Sequence, residues 1–159
     1  MRFEKAVQVL SDAGVDFVVI GGVSAALHGS AHVTFDLDIC YSRTASNLQR
    51  LAAALAPFHP RPREFPGDVP FVWDGKTLRN VTILTLQTDL GEIDLLAEVS
   101  GLGSYEEAKA NSVVVEAFGR NVWTLDLPSL IKAKRATGRE KDLRALPEME
   151  SLLEAEEHE

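Results

Sequence analysis

The stretch covering residues 18–40 constrains the fold of this chain more than any other. A short apolar run, residues 17–20, is typical of a buried strand, and it stops at the glycine pair Gly21-Gly22, where we expect a turn and then a short helix. An alternating apolar and acidic run follows, which places Asp36 and Asp38 on one face of a second strand, about 7 Å apart along the backbone. Two like charges on one face repel each other. The pattern therefore predicts a positive partner, either a metal ion or a cationic side chain.

Composition limits the classes of function. The chain has 159 residues, enough for one domain with a core, and its 45% hydrophobic and 25% charged content is typical of a globular protein. Its formal charge of −8 excludes a generally basic surface for nucleic acid, although a local basic patch is compatible with it. The lone cysteine, Cys40, has no intramolecular disulfide partner, and we expect it to be buried in the core.

The location follows from what the sequence lacks. The first ten residues have no long apolar core of a signal peptide, and no apolar run comes near the roughly 20 residues that span a bilayer. We therefore expect a cytoplasmic protein with no membrane-embedded role.

The first half of the chain alternates between helices and strands. Apolar spacing predicts an amphipathic helix over residues 2–13, strands over 16–20 and 34–41, and a helix from Thr44 or Ser46 to Pro57. Residues 57–70 contain five of the seven prolines, so they predict an irregular, mobile loop.

Two arginines lie in that predicted loop. Arg61 and Arg63 could reach an anionic ligand, but solvated loop charges are the commoner case. We therefore assign them no catalytic role.

The second half predicts two hairpins and a helical end. Residues 80–88 and 92–96 form one hairpin, which carries a third acid, Asp94, and residues 112–124 form another after a short helix. Asp126 caps a further helix, and the last one covers residues 140–155. The predicted class is α+β, a mixed sheet flanked by helices with a C-terminal helical pair.

The acids indicate the chemistry. If the two acidic strands are neighbours, Asp36, Asp38 and Asp94 converge, and such hard oxygen ligands suit Mg²⁺ or Mn²⁺. Phosphate is the expected co-ligand, because Mg²⁺ usually binds a few carboxylates and completes its shell with water and phosphate oxygens. The glycine pair supports this, since a helix start after a glycine turn offers free backbone N–H groups to an anion.

These motifs in this order resemble a known superfamily. The glycine pair, the Asp36-Leu37-Asp38 segment and the later Ile93-Asp94 resemble the signature of nucleotidyltransferases related to DNA polymerase β. The run LIKAKRATGREKDLRALPEMESLL resembles the C-terminal helices of small bacterial nucleotidyltransferases similar to the toxin component of AbiE-type (AbiEii-like) systems. The resemblance implies that residues 1–125 form a nucleotidyltransferase-like catalytic domain and residues 126–159 a helical extension packed on it.

The resemblance also implies roles for individual residues. The acids Asp36, Asp38 and Asp94 would bind the metal ions, with Asp94 completing the site that activates an acceptor hydroxyl. The triphosphate would be held by the following residues: Gly21, Gly22, Ser24, His32, Lys134 and Arg139. Lys141 and Asp142 belong to the same matching helical end. Relatives often have an arginine at the position of His32, and a neutral imidazole is a weaker phosphate partner.

Three functions are compatible with these residues. The first is metal-dependent transfer of a nucleoside monophosphate from an NTP to a hydroxyl of a protein, small molecule or RNA, with release of pyrophosphate. The second is a catalytically silent module of the same fold in a toxin–antitoxin-like or regulatory complex, with a partner protein from a neighbouring gene. The third is a metal-dependent phosphohydrolase.

Overall fold

A seven-stranded mixed sheet with helices on both faces forms the centre of this protein, seen in a computed structural model that describes residues 3–64 and 66–158. The helices are α1 (Phe3–Asp12), α2 (Gly21–Leu27), α3 (Ala45–Leu55), α4 (Gly75–Arg79), α5 (Tyr105–Ala110), α6 (Leu127–Thr137) and α7 (Glu140–Glu157). The strands are β1 (Phe17–Ile20), β2 (Asp36–Tyr41), β3 (Arg61–Pro62), β4 (Ile83–Thr88), β5 (Gly91–Leu96), β6 (Glu98–Val99), β7 (Gly103–Ser104), β8 (Ser112–Ala117) and β9 (Arg120–Leu125).

The order of the strands places the acidic strands side by side. In the large sheet the order is β3-β4-β5-β2-β1-β9-β8, and β6 and β7 form a separate two-stranded sheet. Strand β2 pairs with β1 antiparallel and with β5 parallel, and Asp38 lies directly opposite Asp94 in the β2–β5 register. The predicted α+β class with a mixed sheet flanked by helices is confirmed.

Two apolar cores cover the two faces of the sheet. On one face, Leu37, Ile39 and Ile93 pack in a cluster that includes buried residues of α1 and α3. On the other, Cys40 packs in a second cluster with buried residues of α5, α6 and α7. The three acids are direct neighbours of Leu37, Ile39 or Ile93 in the strands. Because side chains alternate along a strand, the acids point to the opposite face, where α6 and α7 lie.

Local sequence signals explain most of the element boundaries. Thr44 accepts a hydrogen bond from Asn47 N at the start of α3, and Asp126 accepts one from Ser129 N at the start of α6. Gly138 ends α6 in the left-handed conformation, with φ +66°, which favours glycine. Cys40 is buried, as predicted.

The structure corrects three predictions about local structure. Helix α2 begins at Gly21 itself, so no separate turn separates it from β1. The predicted irregular loop contains strand β3, which pairs antiparallel with β4 although it ends in Pro62, since an edge strand tolerates a missing donor. Helix α4, capped by Asp74, was not predicted. Arg2 and Phe65, which the predicted first helix and the loop included, lie outside the described residues.

Helices α6 and α7 pack against each other, and α6 also contacts α2. The division of the chain at residues 125 and 126 into a catalytic domain and an extension stays a prediction. Within the described ranges, no helix combines the length and the apolar character needed to cross a bilayer.

Candidate active site

Three carboxylates meet where β2 and β5 lie side by side. Asp36, Asp38 and Asp94 each place a carboxylate oxygen so that these three atoms lie within 4.8 Å of one another. The β2–β5 pairing produces this convergence, because it sets Asp38 opposite Asp94 and leaves Asp36 two residues away on the same face. The predicted convergence of these residues is therefore present in the structure.

The carboxylates create an electrostatic problem for the metal-free protein. Burial, and then the negative charges of Asp36 and Asp94, raise the pKa of Asp38 to about 8. Burial also raises the pKa of Asp94, although the nearby Arg63 guanidinium opposes this shift. A bound cation would remove both penalties, because it favours the ionised carboxylates.

The donor atoms fit a divalent metal ion. The buried Oδ1 of Asp38 has no hydrogen-bond partner among the described residues. Three carboxylates that each bring an oxygen within 4.8 Å of the others form a donor set that suits Mg²⁺ or Mn²⁺.

A cationic side chain that the sequence analysis set aside also reaches the site. Arg63, directly after β3, places Nη2 2.7 Å from Oδ1 of Asp94, and the two side chains are only 24% and 16% exposed. The contact is an ion pair rather than an aligned hydrogen bond, since this buried oxygen has no properly oriented donor within the described ranges. The interpretation of Arg63 as a solvated loop charge was wrong, because the pairing of β3 with β4 carries it to the acids.

A cavity of about 500 Å³ lies beside the carboxylates. Its lining includes Asp36 and Asp38, the start of α2 and one side of α7. Four basic side chains of α6, α7 and the junction between them also line it: Lys134, Arg139, Lys141 and Arg144. This is the local basic patch that the overall charge allowed. A volume of this size is typical of a small-molecule site.

The two glycines are required by close approach. A Cβ on Gly21, whose φ is +66°, would lie 2.3 Å from Oδ2 of Asp38, and a Cβ on Gly22 would lie 2.7 Å from Oγ1 of Thr34. Both distances are far inside van der Waals contact, so side chains at these positions would displace the acidic strand or the segment before it.

A buried carboxylate, Asp142, contacts two of the four basic side chains of the cavity, which together we call the basic wall. Asp142, 3% exposed, accepts hydrogen bonds from Thr137 Oγ1 at 2.7 Å, Arg139 Nε at 2.7 Å and Lys134 Nζ at 3.4 Å. Burial opposes ionisation, but the hydrogen bonds from Thr137 and Arg139 and the positive charges of Lys134 and Arg139 together outweigh it, and the pKa of Asp142 is lowered. Asp142 therefore fixes where Lys134 and Arg139 stand in the cavity.

A second acid of α7 holds the segment between α2 and β2. Glu148 accepts hydrogen bonds from Ser30 Oγ at 2.5 Å and from Ala31 N at 3.1 Å, and His32 Nε2 lies 3.7 Å from its Oε1. His32 is thus at the cavity, as the resemblance implied, but it faces an acid. No pattern in the sequence indicated Glu148, because its partners are more than 100 residues away in the chain.

Ser24 is the predicted site residue whose side chain the structure places elsewhere. It is fully buried, and its hydroxyl lies 2.6 Å from that of Thr124 on β9. Its side chain is therefore committed to the contact between α2 and the sheet, and it does not line the cavity. A contact between this hydroxyl and a triphosphate does not fit the structure.

Solved structures identify the architecture. A lincosamide antibiotic adenylyltransferase, LnuA, solved with lincomycin bound, matches with a TM-score of 0.62 at 12% identity over 95% of this chain and 96% of its own. The fold is that of nucleotidyltransferases. A protein of Thermotoga maritima provisionally described as a nucleotidyltransferase matches with a TM-score of 0.57 at 17% identity, over 92% of this chain and 88% of its own. No protein-family model matches the sequence, and comparison with curated proteins gives no significant match.

The Asp142 network leads to a stability prediction. We expect Asp142→Ala to lower the free energy of unfolding by about 3 kcal/mol, because it removes the carboxylate that pairs with the largely buried ammonium group of Lys134. Since the pKa of Asp142 is lowered in the folded state, its stabilisation is present above the ordinary aspartate pKa of 3.8 and is lost as the pH falls through the folded-state pKa. Urea unfolding at neutral and acidic pH measures this difference.

The matched control for this prediction is an exposed pair on the same two helices. Arg135 and Glu150 form an ion pair whose side chains are 59% and 49% exposed. Arg135→Ala should change the free energy of unfolding by less than about 1 kcal/mol. Equal effects of the two variants would contradict the role given to Asp142.

Proposed function

We propose that this protein is a metal-dependent nucleotidyltransferase that moves a nucleoside monophosphate from an NTP to an acceptor hydroxyl and releases pyrophosphate. The observation that carries the proposal is the convergence of Asp36, Asp38 and Asp94, two of which, Asp36 and Asp38, line a cavity that is also lined by four basic side chains. Carboxylates that bind metal ions and cationic side chains that bind phosphate are the two components of a phosphoryl-transfer site.

In this proposal the acids hold Mg²⁺ or Mn²⁺. Asp36, Asp38 and Asp94 are the ligands, and the orphaned Oδ1 of Asp38 is the atom with the most to gain from coordination. When bound, the metal neutralises the charge that develops on the attacking and leaving oxygens. Gly21 keeps the backbone of α2 close to Asp38, so that the start of this helix borders the same space.

The triphosphate lies against the basic wall. Lys134 and Arg139 are held there by Asp142, and Lys141 and Arg144 add two more positive charges along α7. Positions fixed in advance cost little reorganisation when the negative charge arrives. The imidazole of His32 contributes less, because it lies beside Glu148.

The acceptor is a small molecule in this proposal. The cavity volume of about 500 Å³ is that of a small-molecule site, and the net negative charge of the chain does not favour nucleic acid. Phe35 and Val33 line the cavity and are 83% and 73% exposed, which offers an apolar surface beside the acids. The similarity in fold to LnuA, an adenylyltransferase solved with an antibiotic bound, supports a panel of hydroxyl-bearing small molecules with ATP as the first donor.

Pyrophosphate release tests the proposal directly. Purified protein, Mg²⁺ and each of the four NTPs, labelled at the α-phosphate, are incubated with a panel of hydroxyl-bearing small molecules, RNA and proteins. The expected result is pyrophosphate together with a labelled acceptor, both lost when EDTA removes the metal. Absence of both products with every acceptor, and of metal-dependent NTP binding by calorimetry, contradicts the proposal.

The other two functions give different results in the same experiment. A phosphohydrolase releases phosphate from an NTP with no acceptor present. A catalytically silent module binds no NTP with Mg²⁺ and instead associates tightly with the product of a neighbouring gene.

A further inference from the structure

Arg63 is held firmly at the acidic site. Besides the 2.7 Å contact between its Nη2 and Oδ1 of Asp94, its Nη1 donates a hydrogen bond to Leu86 O at 3.0 Å. Its backbone N also donates one to Thr85 O at 3.0 Å, and Thr85 pairs with Asp94 across β4 and β5. Both the backbone and the guanidinium of Arg63 are therefore fixed relative to Asp94.

A neighbouring arginine, Arg61, has a guanidinium that is held less firmly than that of Arg63. Arg61, two residues earlier on β3, is exposed, and its Nη2 donates a long hydrogen bond to Val69 O at 3.5 Å. Both arginines belong to the same edge of the sheet, but Arg63 contacts Asp94 and Leu86 O. The charge of Arg63 is directed at the acids, and that of Arg61 is directed at solvent.

The ion pair divides the acidic site into two sides. Asp36 and Asp38 line the cavity. Among the described residues, Asp94 does not line it and instead forms the ion pair with Arg63. Within residues 3–64 and 66–158, Arg63 is the only cationic side chain within ion-pair distance of the three acids. The Asp94 side thus has a cation supplied by the protein itself, whereas the buried Oδ1 of Asp38 has neither a hydrogen bond nor an ion pair among the described residues.

The geometry points to Arg63 as a built-in cation that fills the Asp94 side of the site, so that in the absence of nucleotide the protein takes one divalent ion, at Asp36 and Asp38. A second divalent ion next to Asp94 would have to overcome repulsion from a guanidinium that is already in contact with the carboxylate. The inference rests on the metal site of the proposed function but not on nucleotidyl transfer. It concerns how many ions the acids hold before any substrate binds.

Counting bound Mn²⁺ tests the inference without any turnover. The wild-type protein, Arg63→Gln, Arg63→Lys and Arg61→Gln are titrated with Mn²⁺ at neutral pH without NTP, and free Mn²⁺ is followed by electron paramagnetic resonance. We expect one ion for the wild type, for Arg61→Gln and for Arg63→Lys, which keeps the charge. Arg63→Gln should bind a second ion, about 10- to 100-fold more tightly than any second ion in the wild type.

Each outcome decides the matter. Two ions of similar affinity in the wild type overturn the inference without reference to any variant. Circular dichroism shows whether Arg63→Gln folds, and if it does not, the wild-type count still tests the inference. Equal Mn²⁺ binding by folded Arg63→Gln and Arg61→Gln also overturns it. If no protein binds Mn²⁺, the metal site itself is wrong, whereas the expected Mn²⁺ counts without pyrophosphate release leave the inference standing and remove only the proposed transfer.

Discussion

Asp38→Asn is expected to abolish nucleotidyl transfer while it stabilises the metal-free protein. The substitution keeps the shape of the side chain but removes the charge that would bind the metal, so the rate of pyrophosphate release should fall about a thousandfold or more. It also removes a buried carboxylate with a pKa of about 8, which resists ionisation. The free energy of unfolding in EDTA should therefore rise by about 0.5–2 kcal/mol at neutral pH.

The pH dependence of this stabilisation has a definite sign. Because the folded-state pKa of Asp38 is raised above the ordinary aspartate pKa of 3.8, the folded protein keeps a proton between pH 3.8 and about 8 that the unfolded chain releases. In EDTA the wild type should lose stability as the pH rises through that window. The Asn variant should lack this loss, so the difference between the two grows with pH.

The control for Asp38→Asn is a carboxylate far from the site. Glu116 is exposed on β8, and Glu116→Gln should change neither transfer nor stability measurably. Thermal unfolding in EDTA and pyrophosphate release are measured on all three proteins. Wild-type turnover by Asp38→Asn would exclude the role given to Asp38.

Gly21→Ala is expected to disrupt the site through a single methyl group. The new Cβ would lie 2.3 Å from Oδ2 of Asp38, in a backbone conformation with φ +66° that L-residues rarely adopt. Either the start of α2 or the Asp38 carboxylate must move. We expect loss of metal-dependent transfer, weaker Mn²⁺ binding and a decrease in the free energy of unfolding of more than about 2 kcal/mol.

Another glycine separates the collision from the backbone strain. Gly119, between β8 and β9, has φ +76°, but a Cβ there would have no heavy atom within 4 Å. Gly119→Ala therefore carries the strain alone, about 1–2 kcal/mol, and should leave Mn²⁺ binding and transfer intact. If Gly21→Ala binds Mn²⁺ as tightly as Gly119→Ala does, the close packing of α2 on Asp38 has no part in the site.

Much of the acidic half of the site was predictable because its signals are local. The period-2 alternation around Asp36 and Asp38 sets their common face, and the hairpin that carries Asp94 is evident from β-branched residues on either side of a turn. The helix boundaries at Thr44 and Asp126 follow from capping chemistry within four residues. That the two acidic strands are neighbours was an assumption that only the structure could confirm, and it shows β2 and β5 paired in parallel.

The basic and positioning residues were harder to predict. Lys134 and Arg139 were selected through resemblance, but the reason for their fixed positions, Asp142, became clear only from the contacts of α6 and α7. Ser24 was assigned to phosphate by position in the motif, whereas Thr124, a hundred residues away, takes its hydroxyl. Contacts between residues so distant in the chain leave no periodic signal in a single sequence.

The sequence by itself determined that two acids share a strand face and need a positive partner, because alternation in a strand is a property of neighbouring residues. It left open whether that partner is a metal ion or a cationic side chain. Only the tertiary structure decided that a cationic side chain belongs to the site: β3 pairs with β4 and brings Arg63 to Asp94, while Asp36 and Asp38 stay open to the cavity. The reason is physical, since strand pairing and not sequence proximity sets which charges meet in space.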